Sequence, residues 1–295
     1  MQLKTIYAPI DKELKQTRKI LAGVLRSGDR GVAEIGRYVW RAPGKLLRPA
    51  LVLLAAKCGK PDRRRAVNMA AAIELIHMAT LTHDDVIDKA KLRRGQASVG
   101  AKFGAAKAVL FGDYLYSRAF EIISQLNSSR IALSLLHTAT TICQGEMRQL
   151  GRAFHAPFEK KEYLKVISDK TASLFAAACE SGGILADLGP QRIAVLKKYG
   201  YNLGVCFQIV DDCLDLIGQE KHAGKSLKID KKNGKLTLPL MYWQRTHSKK
   251  AAIAQTIRVA QVYRDQALAA IKPIKNIRIK QAFRDLLNFT LSKVS

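Results

Sequence analysis

The sequence predicts an all-α protein on the strength of three observations. Apolar residues recur every three to four positions along nearly the whole chain, which is typical of amphipathic helices. Strand signals are almost absent, because no alternating apolar and polar run stands beside a hairpin turn. Connections between the periodic stretches are short, which favours a large helical bundle with sites between facing helices. The predicted helices are 11–39, 48–58, 64–88, 104–125, 129–151, 160–182, 190–217, 235–246, 249–271 and 278–293.

Loops are predicted where proline, glycine and small polar residues cluster. They fall at 42–44, 59–62, 93–95, 127–129 and 189–190. With 295 residues and 48% hydrophobic content, the chain can bury a large core. Prolines number only 8, and no Ser/Gly-rich or low-complexity linker interrupts the pattern. We therefore expect a single domain over residues 1–295.

The chain is strongly basic, with 50 Lys and Arg against 24 Asp and Glu and a formal net charge of +26. Such a surface attracts polyanions, whether nucleic acid, an anionic membrane or phosphorylated substrates. Nucleic acid is not expected as a partner, because the sequence has no zinc-finger, RNP or helix-turn-helix signature. Its aromatic residues (7%) also lie mostly within apolar helices rather than among the basic ones. Peripheral contact with an anionic membrane stays open.

Five cysteines, none in a CxxC arrangement, lie in apolar helical stretches. This pattern is typical of reduced core thiols in a cytoplasmic protein. The opening MQLKTIYAPI lacks a charged segment followed by an apolar run, so no signal peptide is expected. No apolar run approaches the length of a membrane span, so no spanning helix is expected either.

Two copies of an acidic pattern, DDxxD, stand far apart in the chain. The first runs from Asp84 to Asp88 and the second from Asp211 to Asp215. Each lies in apolar, helix-compatible sequence, where residues three and four apart share a face. Carboxylates in apolar surroundings are costly to ionise unless they are paired or bind metal. A solvated helix end could explain one such motif, but two of them indicate a cation site.

Basic and polar residues surround both motifs in particular places. They are Gly44-Lys45-Leu46-Leu47-Arg48-Pro49, His77, Arg93-Arg94-Gly95, Lys170-Thr171, Gln208, Gly224-Lys225, Asp230, Gly234-Lys235 and Thr237-Leu238-Pro239. With GDYLYSRAF (112–120) and KTASLF (170–175), this array resembles the trans-polyprenyl diphosphate synthases, especially the octaprenyl and solanesyl-type enzymes. The resemblance runs from about Gly44 to Pro239. It implies a single-domain helical bundle of the isoprenoid synthase type, with the two motifs on opposite walls of a central cavity.

The resemblance also implies a trans-prenyltransferase that joins isopentenyl diphosphate to an allylic diphosphate, farnesyl or geranylgeranyl diphosphate. Each step loses pyrophosphate and extends the chain by five carbons. Mg²⁺ is the implied cofactor, with three ions present when substrate is bound, since Mg²⁺ commonly bridges carboxylates to substrate phosphates. Asp84 and Asp88 would hold two ions and Asp211 the third. The implied supporting carboxylates are Asp85, Asp212 and Asp215.

By the same resemblance, two sets of residues bind the diphosphates, because positioned cations stabilise charge on phosphate groups. The allylic set is Arg93, Lys170, Lys225 and Lys235. The isopentenyl set is Lys45, Arg48, His77 and Arg94. The polar pair Thr171 and Gln208 would face the developing cation. Taken singly, each residue is as well explained as a surface charge, a helix cap or a core hydrogen-bonding group, and only their joint placement indicates a site.

Product length in this family depends on the helix that leads into the first motif. Ala79 and Thr80 lie five and four residues before Asp84, roughly 6–7 Å deeper along a helix. Neither is bulky enough to block a tail pocket, and CQGEMRQL (143–150) also resembles long-chain enzymes. We therefore expect a C30–C50 product, with C40 as the central value. Candidates for the residue that closes the pocket are Phe111, Phe120 and Met147.

Alternatives stay open at this point. Within the enzyme class, the next interpretation is a shorter-chain geranylgeranyl diphosphate synthase. Outside it, the chain could be a non-catalytic subunit of a heteromeric synthase, although such subunits typically lose aspartates from one motif. The chain departs from the family pattern at Lys89 and Lys91, where acidic residues are usual, and at Leu46, where a basic residue is usual. Family members are usually homodimers, and the 104–125 helix is the expected interface.

Overall fold

The computed structural model describes residues 2–26, 29–151, 159–218 and 237–294. These ranges are helical almost throughout, so the all-α prediction is confirmed. Two short turns of other helical types lie between α-helices. One is a 3-10 turn at Ala8–Ile10, and the other is a π-helical turn at Ser168–Ala172, called the π-turn below. The helices are α1 (Leu3–Ile6), α2 (Asp11–Val24), α3 (Arg30–Trp40), α4 (Leu47–Ala56), α5 (Arg63–Ile87), α6 (Val99–Phe103), α7 (Ala105–Ser124), α8 (Ser129–Gly151), α9 (Lys160–Ile167), α10 (Ser173–Leu185), α11 (Pro190–Gly218), α12 (Leu238–Thr246), α13 (Lys249–Ala270) and α14 (Ile277–Leu291).

The helices belong to two compact units. The N-terminal unit comprises Ile10–Leu133 and Ser181–Leu188. The C-terminal unit comprises Met1–Pro9, Ser134–Glu180 and Gly189–Ser295. The expectation of one domain over residues 1–295 stays a prediction. Among the helices that the structure describes, none is both long and apolar enough to cross a membrane.

In the N-terminal unit, α5 packs against α2, α4 and α7. Its first turn is capped by Asp62, whose side chain accepts a hydrogen bond from the backbone N–H of Arg65 and so satisfies one of the N–H groups that lack a helical partner. Its middle contains the fully buried run 70–73, AAAI, whose small side chains allow neighbouring helices to approach. Each large aliphatic side chain buried here stabilises the fold by about 1.5–3 kcal/mol. This packing fixes the last turns of α5, which carry the first acidic motif.

In the C-terminal unit, α11 packs against α12, α13, α14 and the π-turn. One core cluster joins Tyr163 of α9, Ile209 and Val210 of α11, Leu238 of α12 and Ala260 of α13. Ile209 and Val210 immediately precede the second acidic motif. The core therefore fixes the position of that motif as well.

Two of the predicted helices are interrupted in the structure, and the short helices α1 and α6 were not predicted. The predicted helix 11–39 is in fact α2 and α3, and α3 starts afresh where the Asp29 side chain accepts a hydrogen bond from Val32 N at 3.0 Å. The predicted helix 160–182 is interrupted by the π-turn. Apolar residues continue on both sides of each interruption, so the sequence was interpreted as continuous helix.

The loop predicted at 93–95 is the turn of a short antiparallel hairpin. Its strands are β1 (Leu92–Arg93) and β2 (Gln96–Ala97). Between them, Arg94 (φ 52°) and Gly95 (φ 78°) both adopt left-handed backbone conformations, as a two-residue type I′ turn requires. The strands are too short to show an alternating pattern, so the sequence predicted only a loop.

Candidate active site

The last turns of α5 present one stripe of accessible polar side chains. His77, Thr80, Asp84 and Asp88 are partly accessible, and their spacing of three or four residues places them on one helix face. Asp85, in contrast, is buried. The acidic residues stand at the C-terminal end of the helix, where the macrodipole favours cations and disfavours anions. The first motif thus concentrates negative charge where only a nearby cation can offset it.

Arg93 of the hairpin binds the buried carboxylate of Asp85. Its Nε donates to Oδ1 at 2.9 Å and to Oδ2 at 3.1 Å, and its Nη2 also donates to Oδ1. The hydrogen bond to Asp85 raises the pKa of Arg93, burial acts in the opposite direction, and the charges of Asp84 and Asp88 raise it further. Asp85 is therefore an ion-pair partner of Arg93.

Arg48, in the first turn of α4, lies beside His77, with 3.0 Å between Nη1 and Nε2. A guanidinium group only donates, so His77 Nε2 accepts and the neutral ring carries its proton on Nδ1. Burial, followed by the positive charges of Arg48, Arg94 and Arg93, lowers the pKa of His77 well below its ordinary value. Neutral His77 can therefore offer one N–H to a phosphate oxygen next to the Arg48 charge.

Two further predicted cations belong to the same unit. Lys45 is exposed just before α4, and Arg94 Nη1 donates to the carbonyl oxygen of Ala42 at 3.0 Å. The sequence analysis missed Glu74, which is buried on α5. Burial raises the pKa of Glu74, and the neighbouring arginines lower it. Its place one turn before His77, inside an otherwise apolar run, was the available signal.

The second motif has the same layout on α11. Gln208, Asp211 and Asp215 keep accessible surface, and their spacing of three and four residues places them on one face. Asp212 is buried. The motif again occupies the last turns of a helix, which ends at Gly218. Both motifs therefore expose their first and last aspartates and bury the second.

A chain of hydrogen bonds connects Asp212 to the predicted cation-facing residues. Tyr163 Oη donates to Asp212 Oδ2 at 2.6 Å, and Gln208 Nε2 donates to Oδ1 at 2.9 Å. Thr171 Oγ1 donates in turn to Gln208 Oε1 at 2.8 Å. Burial raises the pKa of Asp212 to about 7, the two hydrogen bonds oppose this shift, and the other carboxylates of the motif add to it. The sequence analysis missed Tyr163, because a tyrosine in an apolar helix carries no distinctive signal.

Lys170 lies in the π-turn, a type of turn found frequently at functional sites. Glu146 of α8 forms an ion pair with it, and Lys170 Nζ also donates to Gln149 Oε1 at 3.2 Å. Gly145 allows this approach, because a Cβ atom there would lie 2.8 Å from the Cβ of Asp169. Glu146 was missed as a partner of Lys170, although its segment, 143–150, had been singled out for product length.

Each acidic motif offers too few carboxylates to hold a metal ion without other ligands. Within the ranges that the structure describes, no group of three or more His, Cys, Asp and Glu side chains is arranged to hold a metal ion alone. Protein-bound Mg²⁺ usually takes one or two carboxylates, with water and substrate phosphates completing the octahedron. Asp84 with Asp88, and Asp211 with Asp215, offer two accessible carboxylates each. The donor sets therefore fit a hard cation that is shared with a diphosphate.

Two parts of the predicted site are left as predictions. Lys225 and Lys235 lie outside the described residues. The first motif belongs to the N-terminal unit and the second to the C-terminal unit. The expectation that the motifs line opposite walls of one cavity therefore stays a prediction.

The two predicted product-length residues differ in accessibility. Ala79 is fully buried. Thr80 is partly accessible, and its hydroxyl donates to the carbonyl oxygen of His77 at 2.8 Å. Of the candidates for closing a tail pocket, Phe111 is buried, whereas Met147 is 68% exposed. Thr80, which shares the accessible stripe with Asp84, is thus the better placed of the pair to meet a substrate tail.

Comparison with known proteins identifies the class. The family model for polyprenyl synthetase matches residues 29–274. Heptaprenyl diphosphate synthase component 2 of Geobacillus stearothermophilus is 37% identical over 254 residues, which cover 86% of this chain and 79% of that protein. Octaprenyl diphosphate synthase of Escherichia coli (strain K12) is 37% identical over 258 residues, which cover 85% of this chain and 79% of that protein.

The fold gives the same answer. The crystal structure of a polyprenyl synthase from Caulobacter crescentus CB15, complexed with calcium and isoprenyl diphosphate, matches with a TM-score of 0.91 and 30% identity. The match covers 100% of this chain and 98% of that one.

This chain therefore belongs to the polyprenyl synthetase family. It is a polyprenyl diphosphate synthase, a prenyltransferase that uses isoprenyl diphosphates, and the resemblance drawn from the sequence is confirmed. The relatives are named for different products, heptaprenyl and octaprenyl, and geranylgeranyl synthases match as well. The family thus fixes the class of reaction but not the length of the product.

Proposed function

We propose that this prenyltransferase condenses isopentenyl diphosphate with farnesyl or geranylgeranyl diphosphate in successive steps and releases a long-chain, all-trans polyprenyl diphosphate. The observation that carries the proposal is the shared layout of the two motifs, each with two accessible aspartates and a fixed, buried one. The allylic carbon–oxygen bond must ionise, which leaves negative charge on the departing pyrophosphate. Carboxylate-bound cations and positioned basic side chains stabilise such charge where it develops.

Magnesium is the proposed cofactor. When bound, it would supply Lewis-acid stabilisation of the departing pyrophosphate. Asp84 and Asp88 would hold two ions and Asp211 a third, with Asp215 next to it on the accessible face. The Caulobacter polyprenyl synthase is complexed with calcium and isoprenyl diphosphate, which supports a dependence on divalent metal.

The isopentenyl diphosphate pocket is proposed around Arg48 and His77. Arg48 supplies a charged donor, and His77 supplies its Nδ1–H without adding a second positive charge. Lys45 and Arg94 would add charge at the rim, where side chains keep contact with water. A neutral histidine between arginines avoids repulsion before the anion arrives.

Lys170 and Arg93 are proposed, by resemblance, as ligands of the allylic diphosphate. Glu146 fixes Lys170, and Asp85 fixes Arg93. An acidic partner keeps each long side chain in one position, which lowers the entropy lost when a phosphate binds. Lys225 and Lys235 complete this set by resemblance.

A long-chain product, C30–C50 with C40 as the central value, is the proposed outcome. Thr80 supports it, because a small side chain stands on the accessible stripe one turn before Asp84. The octaprenyl and heptaprenyl relatives agree with this range. A geranylgeranyl product is the second candidate.

A homodimer is the proposed working form. Helix α7, the interface expected from the sequence, exposes Val109 and Leu110, the latter by 67%. Large apolar side chains exposed on a helix favour a protein–protein contact. Sedimentation equilibrium should give a dimeric mass for the wild-type protein and a lower mass for Leu110→Glu. A monomeric mass for the wild-type protein would contradict the homodimer.

A subunit of a heteromeric synthase is a further candidate, since one relative is named as a component 2. Both aspartate motifs are intact in this chain, which favours a catalytic role in either arrangement. The two cases differ in one measurement, namely whether this chain alone elongates a substrate.

Peripheral attraction to an anionic membrane is proposed for the segment 272–278. It exposes Lys272, Lys275 and Arg278 around Ile277, which is 81% exposed. Basic residues each contribute about 1 kcal/mol of attraction near an anionic surface. Equal sedimentation with neutral and anionic vesicles would contradict the proposal.

One experiment tests the reaction and the product together. Purified protein is incubated with isopentenyl diphosphate, farnesyl diphosphate and Mg²⁺, and the products are dephosphorylated and sized by chromatography. We expect alcohols of 30 to 50 carbons and no product when EDTA replaces Mg²⁺. A product of four isoprene units or fewer would overturn the long-chain proposal. If the chain alone formed no product, the proposal that it elongates substrates without a partner subunit would be overturned.

A further inference from the structure

The hydrogen-bond chain that runs from Tyr163 to Thr171 has a fixed direction. The structure turns the NH₂ group of Gln208 toward Asp212 Oδ1, as an ionised carboxylate, which only accepts, requires. The Gln208 oxygen then faces Thr171, and because that oxygen also only accepts, the Thr171 hydroxyl must donate to it. The hydroxyl proton of Thr171 is thereby committed. What Thr171 can still present is the lone pairs of its oxygen.

We propose that Tyr163 is a positioning residue for this chain of hydrogen bonds, whose direction the Asp212 carboxylate sets. Its hydroxyl occupies Asp212 Oδ2 at 2.6 Å, which leaves Oδ1 for Gln208. Gln208 then holds Thr171 as an acceptor toward the allylic cation that forms when the carbon–oxygen bond breaks. This inference rests on the proposed function and adds to it a residue for which the sequence gave no signal.

The direction of the chain matters because a cation and a hydroxyl group interact through the hydroxyl dipole. An oxygen lone pair turned to the cation stabilises it, and it does so without the basicity of a carboxylate. A hydroxyl proton turned to the cation repels it. Preorganised dipoles act without reorganising during the reaction, and losing one such contact commonly costs two to three orders of magnitude in rate.

Tyr163 can act only through Asp212. Its side chain is 3% exposed and packs in the core cluster with Ile209 and Leu238. Thr171 and Gln208, in contrast, keep accessible surface. The tyrosine therefore lies behind the site and the polar pair lies at its edge.

The chain also supplies a matched control, Tyr199. It is fully buried in the same C-terminal unit, and its hydroxyl donates to the carbonyl oxygen of Phe283 at 2.7 Å. Tyr163→Phe and Tyr199→Phe each remove one buried hydroxyl and one hydrogen bond. The two substitutions should lower the melting temperature by similar amounts, but only the first releases the Asp212 carboxylate that positions Gln208 and Thr171.

The first measurement is steady-state elongation of farnesyl diphosphate by both variants. Tyr163→Phe should lower kcat by about 10- to 100-fold, with KM for both substrates within about twofold of wild type. Tyr199→Phe should keep the wild-type kcat. Equal kcat values for the two variants would overturn the role of Tyr163. If the wild-type protein elongates nothing, it is the proposed function that falls, and this inference falls with it.

The second measurement is a double-mutant cycle with Thr171→Val, which removes the hydroxyl and keeps the shape. If Tyr163 acts through Thr171, the two losses are not additive, and Tyr163→Phe costs little more once Thr171 is valine. Fully additive losses would show that Tyr163 acts elsewhere and would overturn the inference.

A third variant keeps the proposal testable if Tyr163→Phe does not fold. In Asp212→Asn, Tyr163 can still donate to the amide oxygen, so the amide NH₂ faces Gln208 and the chain reverses. Thr171 then accepts from Gln208, and its hydroxyl proton is no longer held away from the cation. Thr171→Val should be harmless in the Asp212→Asn background, although it is costly in wild type. An equal cost in both backgrounds would overturn the proposed direction.

Discussion

Asp85 and Asp212 occupy the same place in the two DDxxD motifs, and both are buried, yet their partners differ in kind. Asp85 is paired with a guanidinium group. Asp212 accepts from two neutral donors, a phenol and an amide. The first carboxylate therefore has a full countercharge, whereas burial raises the pKa of the second to about 7.

The buried aspartates of the two DDxxD motifs therefore have different tasks, although the sequence pattern is the same. At the first motif, the buried aspartate fixes Arg93, a predicted ligand of the allylic diphosphate. At the second, it fixes Gln208, which faces the reacting carbon in the proposed mechanism. The second aspartate of the motif thus positions a cationic side chain in the N-terminal unit and an amide dipole in the C-terminal unit.

The largest expected effect concerns what the motifs share. Asp84→Ala and Asp211→Ala should each lower kcat by roughly 10³-fold or more, because each removes a proposed ligand of the ions that stabilise the leaving group. Both side chains keep accessible surface, so circular dichroism should remain that of the wild type. Asp265→Ala, at an exposed position of α13, is the control. Wild-type turnover in either motif variant would reject the metal assignment.

The residues one turn before the two motifs provide the next contrast. Thr80 precedes the first motif and should determine product length, whereas Gln208 precedes the second and should determine rate. Thr80→Phe should shorten the main product by several isoprene units, because its ring would fill the accessible stripe. Ala79→Phe should instead lower the melting temperature, because Ala79 is fully buried and overpacking typically costs 1–3 kcal/mol. Chromatography of the products and thermal unfolding would separate the two outcomes.

A smaller effect tests the buried aspartates directly. Asp85→Asn should lower the free energy of unfolding by about 2 kcal/mol, since it leaves Arg93 without its countercharge. Arg93 is 41% exposed, so water limits the loss. Asp212→Asn should cost less than about 1 kcal/mol, because an amide can still pair with neutral donors. Urea unfolding without divalent metal would measure the free energy of unfolding of both variants. Equal losses would show that the buried aspartates of the two motifs do not differ in this respect.

The smallest expected effect is on pH dependence. The pKa of His77 lies well below its ordinary value in the folded protein, so the unfolded chain takes up a proton near pH 6.5 while the folded protein does not. Stability from this group is present above about pH 6.5 and is lost as the pH falls below it. His77→Gln should flatten the slope of unfolding free energy between pH 7 and pH 5. An unchanged slope would assign the pH dependence to other groups.

Much of this arrangement was predictable because it is local. Helical periodicity placed α4, α5, α7, α8, α11 and α13 to within two residues, and the spacing of the aspartates alone predicted which carboxylates share a face. The basic residues around them were found by resemblance, since spacing carries no information about residues that approach from other helices.

What sequence reasoning missed depends on contacts between elements distant in the chain. Glu146 is identified only by its pairing with Lys170, and Tyr163 only by its bond to Asp212. A buried tyrosine and a buried glutamate both look like ordinary helix residues until the neighbouring helix is in place. The hairpin at 92–97 was missed for a different reason, because the left-handed conformation of Arg94 is rare for a residue with a side chain.

The π-turn has a consequence for how this part of the chain tolerates change. One extra residue in a helical turn shifts everything beyond it by about 100° around the axis. Deleting a single residue from 168–172 would turn α9 and α10 into one continuous helix and rotate one of them against its neighbours. A point substitution in the segment changes one side chain, but a one-residue deletion would move Lys170 and Thr171 away from Glu146 and Gln208 together. Natural length variation among relatives should therefore be found in the connections between helices and be absent from this turn.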